Sequence, residues 1–186
     1  LSVSILQTAA NPTYFAAGGI IPIPLYSTNL PFYLATQKFV QFTYNSGVNV
    51  VFGLGVMNFE DFSGVGGAGS SRICHDAYHI QFGAVGAGGD LFRDNSGALS
   101  TSLHGATNNV AQGDVWRLSY DASVVGQVTL IGTRNGVIQY TVVDNSANRL
   151  GPKGGTSGGS FPFISMISAA TGAVMEVKNF SAGVGL

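Results

Sequence analysis

The side chains best equipped for chemistry crowd into one stretch, Arg72-Ile73-Cys74-His75-Asp76-Ala77-Tyr78-His79. If it is a strand, Cys74, Asp76 and Tyr78 share one face, and His75 and His79 share the other. Two histidines four residues apart on a strand are separated by about 13 Å, too far to ligate one ion, so no metal is expected there. As a binding surface the stretch suits a sugar: Tyr78 offers a ring to stack on, Asp76 accepts hydroxyl hydrogen bonds, and Arg72, His75 and His79 donate them. The competing reading is a partly buried polar strand with ordinary hydrogen bonds. A second group, Arg93-Asp94-Asn95-Ser96, is followed in the same polar region by His104 and Asn108-Asn109. Amide and carboxylate side chains on loops of a rigid scaffold suit a neutral glycan. Asp94 and Asn95 carry the oxygen atoms a calcium ion takes, but no D-x-D-x-D-G pattern accompanies them, so no cofactor is assigned.

Catalysis finds little material. The nine acidic residues include only two glutamates, Glu60 and Glu176. Glu60 and Asp61 are adjacent, would point to opposite faces of a strand, and cannot pair across a cleft as glycan hydrolysis requires. Asp114, Asp121 and Asp144 fall at reversals, where an aspartate accepts hydrogen bonds from nearby backbone N–H groups. No G-x-S-x-G nucleophile elbow occurs. Cys74 is the single cysteine, which excludes an internal disulfide framework.

These residues must be held by strands. Residues 39–44 are β-branched and aromatic, residues 48–57 form a near-continuous apolar run, and Asn45-Ser46-Gly47 between them predicts a hairpin. Residues 73–82 and 90–92 read as further strands, and the polar region 94–112 as loops with a short strand. From Gly113 onward the pattern sharpens into a meander: residues 115–120, 124–133 and 137–143, with a turn at Asp121-Ala122-Ser123 and another at Arg134-Asn135-Gly136. Alternation places Trp116, Leu118 and Tyr120 on one face, which argues that the sole tryptophan is core. Residues 161–168 and 173–180 complete the set. No stretch carries apolar residues at helical spacing. The expected fold is all-β, an antiparallel sandwich of jelly-roll or concanavalin-like type, in one domain covering residues 1–186. Residues 1–37, with the Pro-rich run Gly19-Ile20-Ile21-Pro22-Ile23-Pro24-Leu25, read as an extended edge or an inter-subunit arm.

Composition narrows the function. Charged residues are 9% of the 186, apolar residues 45%, and the net charge is −1. An average soluble protein has roughly 25% charged residues, so this surface must be polar through Ser, Thr, Asn, Gln and Gly. Such a chain has no electrostatic grip on nucleic acid or anionic membranes. Its apolar runs are too short and too Pro-rich to suggest membrane insertion. Opening at Leu1, the chain reads as a processed product or a domain of a longer protein.

The succession Gly113, Asp114, Val115, then Asp121, Val128, Leu130, Asn135, Gly136, and then Phe161, Pro162, Ile164 resembles the C-terminal half of SPRY and concanavalin-like lectin sandwiches. Residues 38–44 and 51–56 look like earlier strands of the same group. The resemblance covers about half of the chain and implies a recognition domain for glycans or peptides, without catalysis. The run NSANRLGPKGGTSGGS stretches the connection between Asn-Gly and Phe-Pro beyond that pattern. In composition the chain is also similar to receptor-binding tips of phage and viral fibres, which implies an extracellular or virion-surface location and a homo-oligomer, in that setting a homotrimer. The function expected is non-enzymatic binding of cell-surface carbohydrate in host attachment. The alternatives are a structural virion or surface protein and a polysaccharide-degrading enzyme.

Overall fold

The computed structural model describes residues 3–6, 35–46, 50–55, 77–82, 89–94, 101–105, 110–151, 161–166 and 174–185. Among them are eleven strands and no helix: β1 (Val3–Leu6), β2 (Gln37–Ser46), β3 (Val50–Gly55), β4 (Ala77–Phe82), β5 (Gly89–Asp94), β6 (Thr101–His104), β7 (Val115–Asp121), β8 (Val128–Arg134), β9 (Val137–Asp144), β10 (Phe161–Met166) and β11 (Val174–Val184). They form a six-stranded sheet, β1-β11-β2-β7-β8-β9, and a five-stranded sheet, β10-β3-β4-β5-β6. Every strand pairing among the described residues is antiparallel, so the architecture is the expected antiparallel β-sandwich.

Period-two patterning builds the core. Val40, Phe42 and Tyr44 of β2, with Trp116, Leu118 and Tyr120 of β7, point inward from one sheet, and Tyr78, Ile80, Phe82 and Leu91 meet them from the other. The Phe82 ring centroid lies 4.9 Å from that of Trp116 and 6.2 Å from that of Phe42, both in edge-to-face geometry. Aromatic pairs of this kind contribute about 0.5–1.5 kcal/mol beyond area burial, here across the two sheets. Trp116 is core, as its alternation predicted.

The meander β7-β8-β9 follows the expected order. Asn135 and Gly136 have φ of 52° and 78°, the left-handed pair that a two-residue hairpin turn requires. The Asn135 side chain then docks this turn, accepting from Val115 N through Oδ1 at 2.8 Å and donating to Asp114 Oδ1 at 2.9 Å.

Two expectations are corrected. Residues 39–44 and 48–57 do not make a hairpin: β2 lies between β11 and β7, whereas β3 lies between β10 and β4 in the other sheet. Both flanks of β2 are already paired, so the chain reverses by crossing between sheets. The strand expected from residue 124 begins at Val128 instead. Gly126 takes φ 86° and Gln127 N bonds Val124 O, which turns the backbone and leaves Val124 and Val125 exposed despite their β-propensity.

Candidate functional site

One end of the sandwich gathers the starts of β2, β4, β6, β8 and β10 and the ends of β3, β5, β7, β9 and β11. Here β7 and β9 both finish on an aspartate that caps the following turn. Asp121 Oδ1 accepts from Ser123 N at 2.8 Å, and Asp144 Oδ1 accepts from Ser146 N at 3.0 Å. Each is the local motif by which an aspartate ends a strand, as the sequence suggested.

Asp144 also reaches inward. Its Oδ2 accepts from Tyr78 OH at 2.7 Å and from Arg93 Nη1 at 2.7 Å, and the same Nη1 lies 2.6 Å from Ser146 Oγ. Tyr78 OH in turn accepts from Leu150 N at 3.0 Å, and Tyr120 OH donates to Leu150 O at 3.0 Å. Tyr78 and Arg93 belong to the five-stranded sheet, Asp144 and Tyr120 to the six-stranded one, so the cluster ties the two sheets together. The Arg93 and Asp144 side chains are 7% and 3% exposed. Burial alone would raise the Asp144 carboxyl, but hydrogen bonds from Tyr78, Arg93 and Ser146 outweigh it and hold the group below the usual carboxylate range. Burial, reinforced by the bond to the Asp144 carboxylate, pushes the Tyr78 phenol well above its ordinary range. The tyrosine therefore stays a donor and the aspartate an acceptor at neutral pH.

Lys38 joins this end from β2. It is fully buried, with Nζ 5.3 Å from the Tyr120 ring centroid, and burial lowers its ammonium to about 8. A signal for it existed in the sequence, because Lys38 falls in register with the inward residues Val40, Phe42 and Tyr44.

The structure thus brings together two of the residues singled out for binding, Tyr78 and Arg93. Their polar atoms bond within the protein, which makes them a floor that positions loops rather than a contact surface. His79 lies on the opposite face of β4, 1% exposed and stacked on Phe92 at 5.3 Å. Burial removes Tyr78, His79 and Arg93 from direct access, against the expectation that they face a ligand. Asp94 is the last residue of β5 and so stands at the same end as Asp144. His104 ends β6 away from this end and stacks on Tyr140 of β9 at 4.7 Å. Arg72, His75, Asp76, Asn95 and Asn108 lie outside the described residues.

What the cluster presents to solvent is the segment after β9. Asn145, Ala147, Asn148 and Arg149 are exposed, Ser146 is partly so, and Leu150 is buried. Arg149 holds the segment in a tight turn, donating from N and from Nη1 to Ser146 O at 3.2 and 3.0 Å. Two amides and a guanidinium therefore stand on a turn anchored at both ends, by Asp144 and by Leu150. Residue typing missed this group, although the polar run NSANR directly after a strand was its signal. Among the described residues no group of three or more His, Cys, Asp or Glu side chains is arranged to hold a metal ion.

No family model and no curated protein sequence matches the chain. Solved structures are similar to it at the level of fold. The SPRY domain of human HERC1 is 12% identical, with 78% of this chain and 76% of that one covered and a TM-score of 0.43. Galectin LEC-6 from Caenorhabditis elegans is 14% identical over 93% and 94%, with a TM-score of 0.45. An endo-1,3-beta-glucanase from Streptomyces sioyaensis is 13% identical over 77% and 62%, with a TM-score of 0.44.

Proposed function

We propose that the chain is a non-enzymatic recognition domain for carbohydrate on a cell surface, and that it binds through the end of the sandwich floored by Tyr78, Asp144 and Arg93. The observation that carries this reading is the turn 145–149, which shows Asn145, Asn148 and Arg149 to solvent while its two ends are fixed in a buried network. Amide groups match sugar hydroxyls as paired donor and acceptor. Fixing them beforehand lowers the entropy lost on binding.

Absence of catalysis is supported by the engagement of four carboxylates. Asp114 and Asp144 are ion-paired, Asp121 caps a turn and bonds Gln37, and Glu176 accepts from Asn45 at 2.6 Å. The low charge of the chain supports a setting on an extracellular or virion surface, as the homotrimeric receptor-binding tip of a viral or phage fibre. A second reading, a structural virion or surface subunit, is favoured by Val137, Ile138 and Val143, which are 63%, 60% and 50% exposed on the sheet-edge strand β9.

A glycan array followed by titration of the positive sugars separates these readings. Saturable binding without product release supports the recognition domain. Silence across the array leaves the structural subunit, and product release establishes an enzyme. Mass by light scattering tests the fibre setting, which requires a trimer.

A further inference from the structure

The outer face of the six-stranded sheet carries a cation that is fixed in place and has no counter-charge among the described residues. Arg117, on β7, lies with its guanidinium carbon 3.7 Å from the ring centroid of Phe39 on β2. Its Nε donates to Ser119 Oγ at 3.1 Å, and Ser119 is itself buried. The Phe39 ring occupies the space over Gly183 of β11, where an added Cβ would stand 2.8 Å from the ring edge. Three adjacent strands therefore contribute a bed, a ring and a guanidinium, all on one face. Among the described residues Arg117 has no carboxylate within ion-pair reach, whereas Arg93 and Arg134 each pair with an aspartate at 2.7 and 2.8 Å. The next acidic residue on its own strand face is Asp121, four positions along and about 13 Å away, already bonded to Gln37 and Ser123.

Stacking and the Nε bond leave the two Nη groups as a planar fork, the geometry that matches a carboxylate with two parallel hydrogen bonds. Gln41 and Thr133 flank Arg117 in the same cross-strand row, one strand away on either side. Both are partly exposed, and their side chains are of the kind that bonds sugar hydroxyls.

We propose that this face is a second binding site, specific for the carboxylate of an acidic saccharide, with Arg117 as the carboxylate anchor and Phe39 as the platform that orients it. The saccharide part of this inference rests on the carbohydrate reading above; the carboxylate part rests on Arg117.

The test is calorimetric titration of the full chain with a glucuronate-containing oligosaccharide and with its neutral glucose counterpart, at low salt. The acidic sugar is expected to bind about tenfold more tightly than the neutral one. That preference is lost in Arg117→Gln and largely lost in Arg117→Lys, which keeps the charge but not the fork. It is also weakened in Gly183→Ala, which displaces the Phe39 ring without touching Arg117. Unchanged melting of Arg117→Gln shows that the fold is intact. Equal affinity for the two sugars, or a preference that survives Arg117→Gln, overturns the carboxylate site while leaving carbohydrate recognition standing. Silence toward both sugars, together with a silent array, overturns both.

Discussion

Asp114 and Asp144 are built from the same parts and do different things. Each accepts a backbone N–H, each pairs with an arginine, and each takes one further side-chain hydrogen bond. Asp114 works inside one sheet: Ala111 N, Asn135 Nδ2 and Arg134 all belong to the meander or the segment leading into it, and the Arg134 side chain is 27% exposed. Asp144 works between sheets, with an arginine that is 7% exposed. Surroundings, rather than residue types, decide whether an Asp–Arg pair trims a turn or bolts a sandwich together.

Breaking the inter-sheet pair should have the largest effect. Asp144→Ala leaves the Arg93 charge buried without its carboxylate, so denaturant unfolding should show a loss of about 3–5 kcal/mol. A loss below about 1 kcal/mol would show that solvent already reaches the cluster.

The next effect is a pH dependence peculiar to the Asp144 end. Lys38 has a folded value of about 8 against an ordinary 10.5, so between those limits the unfolded chain binds more protons than the folded one. Stability should therefore rise with pH across that window, by up to about 3 kcal/mol. Above about pH 10 the trend reverses, because burial raises Tyr78 and Tyr120 and the unfolded chain loses their protons first. Lys38→Met should abolish the rise in urea melts recorded from pH 7.5 to 10; a rise that persists assigns it elsewhere.

Asp114→Ala should cost less. It removes a turn cap and an ion pair whose arginine is partly exposed, so the expected loss is about 1–2 kcal/mol, clearly smaller than that of Asp144→Ala. Arg134→Ala should cost only about 0.5 kcal/mol, because its charge is screened by solvent. Both follow from chemical denaturation with an unchanged slope. Equal losses for the two aspartates would erase the distinction drawn between them. On acidification both carboxylates, held below the usual range in the folded chain, contribute stability that is lost as pH falls through their folded values.

Much of this architecture was legible in local pattern. The meander could be read because its signals are short-range: alternation at Trp116, Leu118 and Tyr120, a turn whose Asn135-Gly136 tolerates positive φ, and aspartates placed to accept nearby N–H groups. The crossing from β2 to β3 could not, since Asn45-Ser46-Gly47 announces a reversal without saying in which sheet the chain resumes. The candidate site was half legible. Tyr78 and Arg93 stood out by type, but their partner Asp144 lies 66 and 51 residues away, and no periodicity carries information over that span. Hence two residues expected to face a ligand instead support the turn proposed to do so, and Asn145, Asn148 and Arg149 stand in what reads as an insertion.

Recognition is proposed to belong to the Asp144 end. Backbone amide shifts recorded while the full chain is titrated with a neutral oligosaccharide selected on the array test it most directly. Saturable shifts are expected, concentrated in 145–149 and in the ends of β5 and β7 beside it, with the Asn135-Gly136 turn unmoved. Shifts confined to that opposite turn, or to the faces of the sheets, would contradict it.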